Sequence, residues 1–221
     1  MTSNPRDRIL GRIRSALGRE AKPAWAEVSA SRQATLGDAP PQRPIWRDED
    51  LDRFTRCFEA AAGTWTRVSS IEKIGAAVAD YLADKPAGDT VHLSPHPAFD
   101  QVDWPDTLTL RQATHGRDAL VGVSVASLGV AETGSLALLS GADSPTTLSF
   151  LPDYHIVVLS TSRVVAHFEE VWEYMRDHDR FPPRSFNFIT GPSRTADVEQ
   201  TLQLGAHGPR SLHLVLVDET V

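Results

Sequence analysis

The chain has 221 residues, 41% hydrophobic and 23% charged, which suits one substantial α/β domain or one domain with an appendage. Its net charge is −7, yet residues 1–22 hold six basic and two acidic side chains, so the remaining body is more acidic still and argues against nucleic acid as a ligand. No apolar run approaches the roughly 20 residues of a membrane span, and Cys57 is the single cysteine, which excludes internal disulfides and the thiolate set of an iron–sulfur cluster.

The N-terminus reads without the apolar region of a secretory signal, so a cytoplasmic protein is expected. Ser3-Asn4-Pro5 forms a helix start. Ile9, Leu10, Ile13, Ala16 and Leu17 then recur at three- and four-residue steps opposite the arginines, and Gly18 ends the helix. Residues 19–46 carry Pro23, Pro40, Pro41 and Pro44 without a period and read as a linker or extended arm. The expected organisation is an N-terminal amphipathic helix with its proline-containing linker over 1–46, followed by an α/β domain over 47–221.

From Asp48 the spacing of Leu51, Phe54, Phe58 and Ala61 is helical, closed by Gly63. A strand follows at 64–68, a helix from Ser70 to Leu82, and strands at 90–93 and 107–110. Two apolar runs in Val121–Ser140 flank the polar word Ala131-Glu132-Thr133-Gly134 and predict strand, bend and strand. HIVVL at 155–159 and LHLVLV at 212–217 are continuous apolar strands of the kind buried on both faces. Val164–Met175 reads as an amphipathic helix and Phe186–Ile189 as a strand. Strands alternating with helices predict a mostly parallel sheet covered by helices.

Three turns carry the candidate chemistry. Glu132 stands where the chain leaves the apolar interior, beside Thr133 and Gly134. A carboxylate there either pairs or faces a wet cleft, where it serves as base or nucleophile. Ile189–Glu199, ITGPSRTADVE, runs from a strand through a Gly-Pro turn into a helix start. Its free first-turn amides attract anions, at Gly191, Ser193 and Thr195. Arg194 adds a forked donor, and Asp197 sits in that first turn as a dipole partner or ligand contact. The third turn holds His207 and Gly208, a histidine between glycines before the last strand. His92 and His96 lie four apart, but Pro95 and Pro97 break the helix a zinc pair would need, so no metal site is expected. No serine-hydrolase elbow, Walker loop or dinucleotide fingerprint occurs.

VASLGVAETGSLALLSG, LPDYHIVVLSTSRVV and FNFITGPSRTADVEQTLQLGAHGPRSLHLVLVD resemble, in that order, the LUD domain of the lactate utilisation protein C (LutC, YkgG) family. The opening RDRILGRIRSALG is similar to that family's first helix. Ser135 stands where a second threonine of an ETGT-like word belongs. The resemblance implies a three-layer, Rossmann-like α/β fold similar to ribose-5-phosphate isomerase, glucosamine-6-phosphate deaminase and the CoA transferases. It also implies a part in oxidising L-lactate to pyruvate alongside partner proteins, with iron–sulfur clusters in those partners and no cofactor bound by this chain. Two readings stay open. In one the chain is a non-redox subunit or accessory factor that binds a small carboxylate, another anion or a partner. In the other it is an enzyme for a phosphorylated or CoA-linked acid, with Glu132 and His207 as catalytic groups.

Overall fold

A computed structural model describes residues 4–18, 25–36, 43–113, 119–178, 183–195, 203–205 and 207–221. Two units divide the chain, Met1–Arg43 and Pro44–Val221. In the first, helix α1 spans Pro5–Ala16; the Asn4 side chain accepts the Arg6 N–H at 3.0 Å and caps it. Helix α2 spans Trp25–Leu36, within the stretch expected as a linker or extended arm. The segment holds no Gly or Pro and several good helix formers, but no apolar stripe that periodicity could detect.

The second unit opens with helix α3, Asp50–Ala60, and strand β1, Thr64–Val68. Helix α4, Ile74–Leu82, leads to β2, Thr90–Leu93, then β3, Thr109–Gln112, and β4, Val121–Val125. Strands β5, Leu128–Val130, and β6, Ser135–Leu139, flank the Glu132 turn. Next come β7, Tyr154–Ser160, β8, Val164–Val165, and helix α5, Phe168–Asp177. Strand β9 is Phe186–Ile189; β10, Arg194–Thr195, and β11, Gln203–Leu204, form a short antiparallel ribbon; β12 is Ser211–Val217.

Six strands form one all-parallel sheet in the order β1-β12-β7-β4-β2-β3. The runs HIVVL and LHLVLV occupy its centre, and their alternate residues supply two cores, as the two-residue period of a strand requires. Ile156, Val158, Val215 and Val217 pack with Ile74, Val78 and Phe99 on one face. Val157, Leu159, Leu212, Leu214 and Leu216 pack with Phe54, Phe58, Leu136 and Leu138 on the other. The second face therefore carries α3 together with a four-stranded mixed sheet, β8-β5-β6-β9. Leu128, Val130, Ala137 and Val171 form a third core between that sheet and α5. The fold is α/β with a central parallel sheet, as the alternation predicts. The smaller sheet is what the sequence reading lacks.

Two histidines lie inside the parallel sheet. His155 is fully buried, with Nε2 2.8 Å from Ser124 Oγ, and burial pushes its pKa down to about 3. His213 Nδ1 lies 2.8 Å from Thr64 Oγ1 and its ring stacks on Tyr81 at 4.0 Å; burial, helped by Lys85, lowers it to about 4. Both are neutral core groups. Among the described residues no helix is long and apolar enough to cross a membrane.

Candidate functional site

The Glu132 turn is built by strand pairing. β5 and β8 run parallel, and the ladder continues beyond them: the Ala131 N–H donates to the Val165 carbonyl at 2.8 Å and the Glu132 N–H to the Ala166 carbonyl at 3.0 Å. Gly134 closes the turn with φ +69°, and a Cβ there would sit 2.3 Å from the Phe58 backbone nitrogen. Only glycine permits both the conformation and the approach to α3.

That ladder sets Glu132 beside His167. The imidazole Nδ1 is 3.3 Å from Glu132 Oε2, with side-chain exposures of 13% for the histidine and 25% for the glutamate. His167 also precedes α5, and its backbone N–H donates to Glu170 Oε1 at 2.9 Å, which fixes the residue from the helix side. The sequence reading runs the helix from Val164. In the structure Val164 and Val165 are spent on β8, and the helix begins after His167.

The His167 ring packs at 4.7 Å from Trp46, and the Arg53 guanidinium lies 4.3 Å over that indole. Trp46 Nε1 donates to Asp50 at 2.9 Å, which locks the ring. Arg53 Nε is buried without a hydrogen-bond partner among the described residues. Carboxylate, imidazole, indole and guanidinium thus form one half-buried cluster. A proton on Nδ1 would be donated to Glu132 and leave Nε2 for a ligand, with the carboxylate orienting the ring. Glu132, expected as base or nucleophile, is within reach of the His167 imidazole and can orient it. His167, Trp46 and Arg53 were absent from the sequence candidates. The one local sign was the acidic helix start His-Phe-Glu-Glu at 167–170.

The other candidates lie on neighbouring turns. The exposed Thr133 donates or accepts through its hydroxyl 2.6 Å from Ser135 Oγ, which in turn lies 2.5 Å from Thr190 Oγ1. This hydroxyl chain joins the first turn to the second. Gly191 has φ +80°, and a Cβ there would come 2.2 Å from the Ala61 carbonyl oxygen. Arg194 donates from Nη2 to that same carbonyl at 2.6 Å and so caps the end of α3. The Ser193 N–H donates to the Pro209 carbonyl at 2.8 Å and joins the second turn to the third. Gly208 packs against Ser193, and His207 is exposed.

The expected helix start at Ser193 does not form: Arg194 and Thr195 are strand, paired with β11. Asp197 lies outside the described residues. A strand-to-helix turn of an open α/β sheet belongs at the carboxyl ends of the strands, and this turn sits at the opposite rim. Ala61 precedes β1, Pro209 precedes β12 and Phe150, whose carbonyl lies by Gly208, precedes β7, so the second and third turns gather at the amino ends of the parallel strands. The reason is that β9 runs antiparallel to β6 in the smaller sheet. The turns are contiguous, while Glu132 faces His167 and Arg194 faces the end of α3.

The LUD domain profile matches residues 51–217. Lactate utilization protein C of Halalkalibacterium halodurans is 31% identical over 198 residues, 80% of this chain and 85% of that protein. Lactate utilization protein C of Geobacillus sp. is 31% identical over 119 residues, 52% of this chain and 49% of that one. YkgG of Escherichia coli, an uncharacterized protein, is 31% identical over 121 residues. In most of these matches the chain spans about half the length of the curated relative. A crystal structure of a DUF162 family protein from Deinococcus radiodurans superposes with TM-score 0.59 at 21% identity, covering 79% of this chain and 99% of that one, and shares the fold. By the span of the domain match and the near full-length likeness to the Halalkalibacterium protein, the chain belongs to the LUD domain family.

Proposed function

We propose that this protein serves lactate utilisation as a non-redox subunit or accessory protein of an iron–sulfur L-lactate oxidation system, and that the Glu132–His167 cluster binds the small acid. The observation that carries the reading is the imidazole held between a carboxylate and an indole bearing a guanidinium. A 2-hydroxy acid presents a hydroxyl and a carboxylate. His167 suits the hydroxyl, and the charge of Arg53 beside Trp46 favours the carboxylate. Electrons would pass through clusters in the partner proteins, since one cysteine cannot hold one. The family relatives named for lactate utilisation support the same reading.

The test is co-expression with iron–sulfur lactate-oxidation proteins, followed by L-lactate-dependent dye reduction. The account expects the chain to co-purify with them and to be required for turnover. Turnover unchanged by its omission, with no co-purification, would contradict it.

A second reading is supported by the orientation of Glu132 at a turn joined by hydroxyls to Thr190 and Gly191. In it the chain is an enzyme acting alone on a phosphorylated or CoA-linked acid, with Glu132 as base or nucleophile, His207 as a further catalytic group and the turn of Gly191, Ser193 and Thr195 as anion holder. Turnover of such an acid by the isolated chain, lost in Glu132→Gln, would decide for it.

A further inference from the structure

Small ligands of open α/β sheets lie outside the carboxyl ends of the strands, where the strand order reverses. Here the chain steps outward from β2 to β3 and then returns to β4 on the other side of β2, so the reversal falls between β2 and β4. One strand outward from that reversal, a cavity of about 370 Å³ opens at the carboxyl ends of β2 and β3, within the roughly 300–1,000 Å³ of small-molecule sites.

Its floor is rigid. The Ser94 N–H donates to the Val123 carbonyl at 2.9 Å and the Ala113 N–H to the Leu93 carbonyl at 2.8 Å, which ties the end of β2 to both neighbouring strands. Ser94 is 2% exposed and its Oγ has no hydrogen-bond partner among the described residues. A dry, unpaired hydroxyl is costly, and a ligand atom that meets it gains specificity. The walls are chemically mixed. Trp104 is fixed by an indole N–H bond of 3.2 Å to the Phe99 carbonyl and by edge contact with the Phe99 ring. His96 Nδ1 accepts the Ala98 N–H at 3.3 Å, so in the neutral ring Nε2 carries the proton. Asp100, Arg111 and Gln112 complete the lining.

We propose that this cavity binds a hydroxylated organic anion larger than a three-carbon acid. Its carboxylate or phosphate meets Arg111, the one Lys or Arg among the described residues of the lining, and its body lies against Trp104. Its hydroxyls meet Ser94, Asp100 and Gln112. The cavity shares no lining residue with the Glu132–His167 cluster, and the proposal does not rest on the lactate reading.

Titration calorimetry of the full chain tests this with three probes: gluconate for a carboxylate, glucose 6-phosphate for a phosphate and inorganic phosphate alone. Saturable binding of gluconate or glucose 6-phosphate is expected. Arg111→Met and Ser94→Ala should each weaken it at least about tenfold. Ser94→Ala should also leave the melting temperature unchanged or raised, because it removes the unpaired hydroxyl, and His167→Ala should leave the binding of glucose 6-phosphate intact. The proposal is overturned if neither hydroxylated anion saturates, if inorganic phosphate binds as well as glucose 6-phosphate, or if both cavity variants retain full affinity.

Discussion

His167 and Glu132 are 35 residues apart, yet imidazole Nδ1 and carboxylate Oε2 meet at 3.3 Å because β5 and β8 run side by side into their turns. Neither side chain is placed by its own helix or hairpin alone. The pair is a product of the smaller sheet, and it sets the first prediction.

Glu132 and His167 act as one unit if the carboxylate serves to orient the imidazole. Glu132→Gln and His167→Ala should each weaken binding of L-lactate by about tenfold or more, and the double variant should lose little beyond the worse single one. Calorimetric titration of the four proteins, with far-UV circular dichroism to confirm folding, measures this. Additive losses would mean that the two residues serve the ligand separately.

Acid should destabilise the fold through its core histidines. In the native state His155 and His213 have pKa values near 3 and 4, against 6.5 unperturbed, so between those limits the unfolded chain binds more protons. Their contribution is complete above pH 6.5 and is lost as pH falls toward 4 and then 3, at up to about 1.4 kcal/mol per pH unit for each histidine. Urea denaturation at stepped pH should show His155→Gln with a shallower slope by roughly one proton than the unaltered protein.

Gly134→Ala and Gly191→Ala should destabilise more than Gly88→Ala. All three glycines have φ between +68° and +80°, but a Cβ at Gly134 or Gly191 meets backbone at 2.3 and 2.2 Å, whereas at Gly88 nothing lies within 4 Å. Strain alone costs about 1–2 kcal/mol; the two clashes add to it. Thermal unfolding of the three variants supplies the comparison, and equal shifts would remove the packing role of the turns.

Ser135→Ala should cost about 0.5–1.5 kcal/mol, because it removes a buried hydroxyl, 1% exposed, that hydrogen-bonds both Thr133 and Thr190. Ser135→Thr keeps the hydroxyl and should be better tolerated. Equal melting temperatures for Ser135→Ala and the unaltered chain would show that the Thr133–Ser135–Thr190 chain contributes nothing to stability.

The parallel sheet was legible because HIVVL and LHLVLV have no polar face, and the Glu132 turn because Gly134 interrupts two apolar runs. The direction of β9 was not. A strand followed by Gly-Pro-Ser reads the same in a parallel or an antiparallel sheet, and only its pairing with β6 sends Thr190–Arg194 to the amino ends. His167 was hidden for a related reason, since its partner comes through the β5–β8 ladder and not through spacing. Val164 and Val165 fit a helical stripe locally, but the open edge of β5 recruits them as strand. Helix α2 gave no periodic signal because its apolar residues share no single face.

The central claim is that the imidazole held by Glu132 is where a small acid binds, and titration of L-lactate into the full chain while the His167 ring signals are followed by NMR tests it most directly. The account predicts saturable shifts of the His167 resonances that vanish in Glu132→Gln. Lactate binding that leaves those resonances unmoved, or no binding at all, would contradict it.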